Sequence, residues 1–330
     1  MLVPLTYARP VHWGEHGTKP ALIKYIFRRI LLLIPILLGV TVIVFGIMFL
    51  TPGDAAILML GENAPQAELE ALRERLGLNE PAYVQYGLWL SRAVQLDFGR
   101  SIRSGRPVTG EITARLPATI ELALLATLLS IVIGVPLGVL SATRPNTAVD
   151  HSATVLAFGG LAMPVFWQGL IMILLFALVL DWLPPSGKLG GWQYYVLPTI
   201  TLGTSAIAAI TRMTRATMLE TLSQDYVRTA RSKGVRERSI TYRHALRNAM
   251  IPIVTVIGLQ FGALLSGAVI TETIFSWPGI GRLAIDAIRS KDFPVVQGVV
   301  MFFALMYAVV NLLTDILYAY LDPRLKTRYS

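Results

Sequence analysis

ILLLIPILLGVTVIVFGIMFL, residues 30–50, carries no charged side chain and follows the basic pair Arg28–Arg29. A run of about 20 apolar residues is long enough to cross the hydrocarbon core of a bilayer as a helix. This one decides the fold class. Its apolar stretch is too long for a cleavable signal peptide and lacks a small-residue cleavage site, so it reads as a membrane anchor. The whole chain agrees: of 330 residues, 54% are hydrophobic and 15% charged, with a mean hydropathy of +0.59. Soluble domains carry roughly 25% charged residues. The same figures exclude intrinsic disorder and a collagen-like fibre. The absence of Cys excludes disulfide scaffolds and Cys-based zinc or iron–sulfur sites.

Five further stretches extend the pattern. Leu122–Ala142 is free of charge, with Gly134, Pro136 and Gly138 in its second half. Ala153–Leu180 is long and contains Pro164 and Gln168. No polar turn divides it, so it reads as one kinked or tilted helix rather than two short spans. Leu197–Thr211, rich in Thr, Ala and Gly, spans only if it begins near Trp192 and packs through its small residues. Met250–Thr271 and Val295–Thr314 complete the set. The expected fold is an all-α membrane protein with six transmembrane helices.

Lys and Arg in the loops set orientation. The tail 1–29 holds Arg9, Lys19, Lys24, Arg28 and Arg29, and the tail 321–330 holds Arg324, Lys326 and Arg328. The segment Arg212–Arg247 holds nine Lys or Arg against Glu220, Asp225 and Glu237. With six spans all three fall on one side, so both termini are expected in the cytoplasm. The opposite loop, residues 51–118, has seven basic and eight acidic residues. The net charge of +9 is therefore topological. Only Tyr226 and Tyr242 interleave with the basic loop, and no nucleic-acid partner is expected.

The outer loop is patterned. Leu69, Leu72 and Leu76 recur at helical spacing among charged residues, with Gly77 to close the helix. A second helix is expected from Tyr83 to about Val94, followed by a turn-rich, extended piece from Asp97 to Val108. Such a loop is either a cap on the outer leaflet or a docking surface for an extracytoplasmic partner. The domain plan is thus a tail (1–29), a first helix (30–50), a folded outer loop (51–118), a core of five spans (119–320) containing a cytoplasmic loop (216–249), and a tail (321–330).

Catalytic motifs are missing. There is no His-Glu-x-x-His, and the four histidines are scattered. There is no Gly-x-Ser-x-Gly elbow, and no His lies within a span to serve Ser205 as a base. Gly187-Lys188 lacks the rest of a Walker A loop, so ATP binding by the usual phosphate cradle is excluded. No ionisable residue sits centrally in a span: Glu121, Glu272, Asp315, Arg212 and Arg215 all fall at or near span ends. Ion-coupled transport has little support. Gln168, Gln260 and Asn311 are candidates to line a polar pathway, and interhelical hydrogen bonding is the competing role for each.

The stretch DYVRTARSKG, residues 225–234, has no Pro and a closing Gly, which predicts a helix of two to three turns ending at Gly234. A second basic helix, Arg236–Asn248, is expected to lead into the fifth span through Pro252. Tyr226, Val227 and Ala230 give too small an apolar face for lipid anchoring, which favours docking of a protein.

This stretch resembles the coupling loop of permease subunits of binding-protein-dependent ABC importers, in the dipeptide/oligopeptide/nickel group. Arg243-His244-Ala245-Leu246-Arg247-Asn248-Ala249 and Pro252 match its continuation. Leu96–Ile102, Glu272–Gly281 and Leu321–Arg324 are similar to other segments of that group. The resemblance runs from about Ile23 to Arg324 and leaves Met1–Pro20 aside. Arg228-Thr229 stands where the general importer motif has Glu-Ala.

The resemblance implies a type I ABC importer permease fold in the inner membrane. It implies a second homologous permease, two ATP-binding subunits and an extracytoplasmic solute-binding protein as partners, beside membrane lipid. It implies no cofactor on this chain, with ATP and Mg on the ATPases. Asp225, Tyr226, Arg228, Thr229, Ala230, Arg231, Gly234, Arg243 and His244 would couple to the ATPase. Transport would proceed by alternating access, with peptide as the default substrate and nickel complexes or oligosaccharides as alternatives. A membrane scaffold and a secondary carrier are the rival classes.

Overall fold

In hydrocarbon each backbone N–H and C=O must be bonded within its own segment, so apolar runs of this kind fold as helices. The structure, a computed structural model, describes residues 18–50, 55–61 and 63–321, and every regular element among them is helical. The remaining parts of the tails and of the outer loop lie outside the described residues.

The elements run α1 (Thr18–Leu50), α2 (Ala55–Leu60), α3 (Gln66–Leu76), α4 (Ala82–Val94), α5 (Val108–Thr143), α6 (Ala148–Ala162) and α7 (Val165–Met172). A π-helical stretch, Ile173–Val179, continues α7. Then follow α8 (Gln193–Leu222), α9 (Asp225–Ser232) and the single turn α10 (Glu237–Ser239). A second π-helical stretch, Ile240–Ala245, leads into α11 (Leu246–Ile274), with α12 (Ile280–Arg289) and α13 (Phe293–Leu321) closing the fold.

Among the described residues five helical stretches are long and apolar enough to cross a membrane, lying within α1, α5, α8, α10–α11 and α13. They match five of the six expected spans, and α8 begins beside Trp192, as the fourth requires. The third departs from expectation. In place of one kinked helix, α6 ends at Ala162, Met163 is extended (φ −82°, ψ 126°), and α7 starts after Pro164. Proline has no N–H to continue the ladder and drives the residue before it out of the helical region. The helix therefore breaks rather than bends.

α5 and α8 run parallel and form the spine. Ser130 Oγ lies 2.6 Å from Ala126 O and 3.1 Å from Gly203 O, so the two backbones nearly touch there. About two turns further on, a Cβ on Gly138 would stand 2.5 Å from Thr214 Cβ and 2.7 Å from Thr211 O. α11 packs across this pair, and α13 lies antiparallel to α11. α1 is peripheral: Arg29 pairs with Asp315 of α13 (3.1 Å), and the Phe45 ring meets Tyr86 edge-on and Trp89 at a tilt on α4.

At the end of the bundle where α11 stops, Glu272 is fully buried. Its Oε1 accepts from the Thr119 hydroxyl of α5 (2.7 Å), and its Oε2 accepts from the Arg282 N–H of α12 (3.1 Å). Thr119 Oγ1 also accepts from the Ile280 N–H (2.9 Å). A carboxylate from one helix thus caps the N-terminus of another, where backbone donors are unpaired and the helix dipole favours negative charge. Trp277, also fully buried, donates its indole N–H to Ala118 O (2.9 Å). The chain passes so close that a Cβ on Gly279 would overlap the Glu272 carboxylate, and one on Gly281 would sit 2.5 Å from Val269 Cα. Lys188 pairs with Glu121 over the Trp277 ring, and the Gly187 N–H donates to Phe275 O (2.7 Å).

Two substitutions test this knot. Glu272→Gln turns an amide N–H₂ toward donors and should cost about 1–3 kcal/mol, read as a lower thermal midpoint of the purified protein in detergent. Gly279→Ala should leave little folded protein in the membrane. A wild-type melting profile in both variants would overturn the assignment.

Candidate functional site

α9 is a two-turn helix beyond the bundle's basic end, and one residue seats it. Val227 is fully buried, while Asp225, Tyr226, Arg228, Thr229, Arg231, Gly234 and Arg243 are exposed and Ala230 and His244 are partly buried. The exposed residues therefore form a polar surface over a single apolar anchor. Tyr226 does not join that anchor as the sequence suggests: its hydroxyl accepts from Asn248 Nδ2 (2.8 Å) and ties α9 to α11.

The helix ends as expected. Gly234 has φ +77°, its N–H donates to Arg231 O (2.9 Å), and the Val235 N–H donates to Ala230 O (3.2 Å). A Cβ there would meet nothing within 4 Å, so the requirement for glycine is one of backbone conformation alone. Arg231 pairs with Glu237 at 2.7 Å across this turn. Both partners are exposed, so water screens the pair and it adds little to stability. Arg236, Arg238, Ser239, Tyr242 and Arg243 line a shallow concavity beside α9. The π-helical stretch beneath it buries Ile240, Thr241 and Ala245.

Below lies the apolar core of this end, made by Val139 and Ala142 of α5, Met218 of α8, and Ala249 and Ile253 of α11. Its corner is fixed by a group that no sequence motif flags. Asp150, 3% exposed, takes a two-pronged bond from Arg215 of α8, with Nε at 2.7 Å and Nη2 at 2.8 Å. It also accepts from the Ser141 hydroxyl at the end of α5 and from the Asn146 N–H (3.0 Å). One carboxylate joins α5, the turn after it, α6 and α8. The Arg215 guanidinium and the Ser141 hydroxyl hold the Asp150 carboxyl well below the usual carboxylate range.

The three pathway candidates do not converge. Gln168 of α7 is buried and donates Nε2 to Thr204 Oγ1 of α8 (2.7 Å), an interhelical bond. Its neighbour Gly169 packs on Ile274, fourteen residues from Gln260, or about 21 Å along α11. Gln260 and Asn311 share a level, because Gly258 meets Thr314 and Gly262 meets Val310. Asn311 Oδ1 is buried without a hydrogen-bond partner among the described residues.

Comparison with known proteins bears on this arrangement. Residues 134–327 match the family "Binding-protein-dependent transport system inner membrane component", and residues 22–123 match its N-terminal counterpart. The chain is 43% identical over 332 aligned positions to the dipeptide transport system permease protein DppB of Alkalihalophilus pseudofirmus, covering 92% of this chain and all of that one. It is 44% identical over 312 positions to the oligopeptide transport system permease protein AppB of Bacillus subtilis, covering 92% and 99%. The glutathione transport system permease protein GsiC of Escherichia coli is 41% identical, with the same coverage. Among solved structures, an inward-facing MetNI methionine ABC transporter superposes with TM-score 0.52 at 15% identity, over 65% of this chain and 97% of that one.

The Asp150 clamp yields a prediction. Asp150→Asn leaves the Arg215 charge without its partner and should lower the thermal midpoint, at a cost of about 1–3 kcal/mol. That is the low end for a broken buried pair, because Arg215 is one-third exposed. A depressed carboxylate stabilises fully above its unfolded pKa near 4 and loses that contribution as pH falls below it. Wild type should therefore lose stability below about pH 4 more steeply than Asp150→Asn. Equal acid sensitivity would contradict the clamp.

Proposed function

Because the chain belongs to the inner-membrane components of binding-protein-dependent transport systems, it is a multi-pass permease subunit, and we propose that it forms half of the pathway of an ATP-driven importer of di- and oligopeptides. Peptide is the substrate class in the names of relatives 41–44% identical along nearly their whole length. The proposed assembly pairs this chain with a second permease, two ATP-binding subunits and an extracytoplasmic binding protein. The positive-inside rule puts both termini and α9 in the cytoplasm.

The observation that carries the mechanism is α9 itself, a two-turn helix with a polar exposed face, one buried anchor and a glycine stop. In this reading α9 seats in a cleft of an ATPase subunit. Closure of the ATPases on ATP pushes α9, and the displacement reaches the core through Val227, the Tyr226–Asn248 bond and the π-helical stretch into α11. Substrate then passes between the two permeases as the assembly alternates between outward and inward states, driven by differential affinity for them. ATP and Mg are held by the partner ATPases.

Gly234 discriminates coupling from folding. Gly234→Val forces a branched side chain into a left-handed conformation, at a local cost of about 1–2 kcal/mol, with no clash. The variant should reach the membrane at wild-type abundance yet lose at least about tenfold in peptide uptake. Gly234→Asn, which tolerates this conformation, should retain most of it. Normal uptake by the Val variant would refute the coupling role. Purification of wild type without co-eluting ATPases and a second permease would refute the importer reading.

A further inference from the structure

α4 belongs by sequence to the loop between the first two spans, yet the fold sets it against a span. The Tyr86 hydroxyl lies 2.8 Å from Thr41 Oγ1 of α1, which itself donates to Leu38 O (2.7 Å), so the phenol is the donor. The centre of the Phe45 ring stands 5.4 Å from that of Tyr86 and 6.2 Å from that of Trp89. The apolar run of α1 ends at Leu50. Phe45 is five residues short of that end and Thr41 nine, or about 7 and 13 Å back along the axis.

That run of 21 residues is about as long as the hydrocarbon core, ~30 Å, is thick. Tilting α1 shortens its reach and draws both levels further in. The chain after α4 also returns to a span: a Cβ on Gly298 would lie 3.2 Å from Phe98 Cβ, and Gly298 is three residues inside the apolar run Val295–Thr314. α4 therefore lies along the outer margin of the hydrocarbon, tied to α1 at Phe45 and followed by a tie to α13 at Gly298.

The helix has the composition for that position. Ala82–Leu90 holds no charged residue. Tyr86 and Trp89 occupy the side turned to α1, with the buried Ala93 one turn on. Gln85 and Leu88 turn to the end of α3: Gln85 Nε2 donates to Leu78 O (3.0 Å) and Glu80 O (2.8 Å), and a Cβ on Gly77 would sit 3.8 Å from Leu88 Cδ1. The remaining side carries Tyr83, Gly87, Leu90 and Val94. Tyr83 and Val94 are each 76% exposed, and a Cβ on Gly87 would meet nothing within 4 Å. Arg92, the single charge on the helix, is exposed.

We propose that α4 is an interfacial helix whose Tyr83–Leu90–Val94 side is embedded among the acyl chains of the outer leaflet, with Arg92 reaching up to lipid phosphate. Interfacial helices sink their apolar face about 5–10 Å below the headgroups, which is the depth of Phe45. Tyr and Trp favour the same boundary, and a long Arg stem lets its charge rise to water. The side continues the surface that α1 turns to lipid, where Ile43, Ile47 and Phe49 are more than half exposed. A soluble partner would have to enter the hydrocarbon to touch it. The inference rests on α1 as a span and on the orientation of the chain, and is independent of what the importer carries.

The chain has no cysteine, so single thiols report position. Tyr83→Cys and Val94→Cys on α4 and Glu68→Cys on the exposed surface of α3 are made in the full chain, purified with the subunits that co-elute, and placed in lipid nanodiscs. A thiol reacts as its thiolate, which apolar surroundings disfavour, so the two α4 positions should react with a water-soluble maleimide at least about tenfold more slowly than Glu68→Cys. Labelled with a nitrobenzoxadiazole fluorophore, both should be quenched by lipids brominated along the acyl chain and spared by aqueous iodide, with Glu68→Cys behaving in the opposite way. Iodide quenching at all three positions, with none by brominated lipid, would put α4 in water and overturn the proposal. Protection of both α4 positions from both quenchers would mean that another protein covers this side, and overturns it equally.

Discussion

The arrangement at one end of this bundle depends on a carboxylate with no access to water. Glu272 can be buried because the Thr119 hydroxyl and the α12 backbone supply its donors, and α12 can start where it does because Glu272 caps it. A buried polar group left unsatisfied in so dry a setting costs several kcal/mol. The three helices involved must therefore arrive together or not at all. Gly279 and Gly281 are the steric side of the same constraint, since only backbone without a Cβ fits against the carboxylate.

The other end is organised on the same plan with different chemistry. Asp150 and Arg215 join α5, α6 and α8 through an ion pair that keeps one partner partly in water. Between the two polar locks the helices meet through small side chains, where close backbone approach and dispersion replace a hydrophobic driving force that lipid does not provide. The two carboxylate locks lie at the ends of the bundle, and between them polar contacts such as Ser130 with Gly203 and Gln168 with Thr204 are made by uncharged groups. The proposed coupling helix hangs from one end.

Much of this was legible in the sequence because membrane helices announce themselves by length and by the absence of charge. Five spans, two of the three described outer-loop helices and the glycine stop at 234 follow from local pattern alone. The third span did not, since hydropathy is blind to the missing N–H of Pro164 that severs it. The locks were also hidden. Glu272 reads locally only as a residue at or near the end of a span, and nothing local marks Asp150, because their partners lie 153 and 65 residues away. Of the pathway candidates, Gln168 took the interhelical role that competes with lining a channel, and nothing local distinguishes the two. Of the small apolar face of α9, Val227 is the residue that is fully buried.

The near-contact of backbones along α5 and α8 has a kinematic consequence. Two helices meshed at Ser130–Gly203 and again at Gly138–Thr214 cannot slide past one another by less than a full turn without collision. They translate and rotate as a single beam. Motion within this chain must then be taken up where the ladder is interrupted or loosened, at Met163–Pro164 and in the two π-helical stretches, 173–179 and 240–245. One of these joints divides the segment that leans on the beam. Another lies between the exposed two-turn helix and the long helix carrying Glu272, so the protein has its stiffness in the middle and its compliance along the edge.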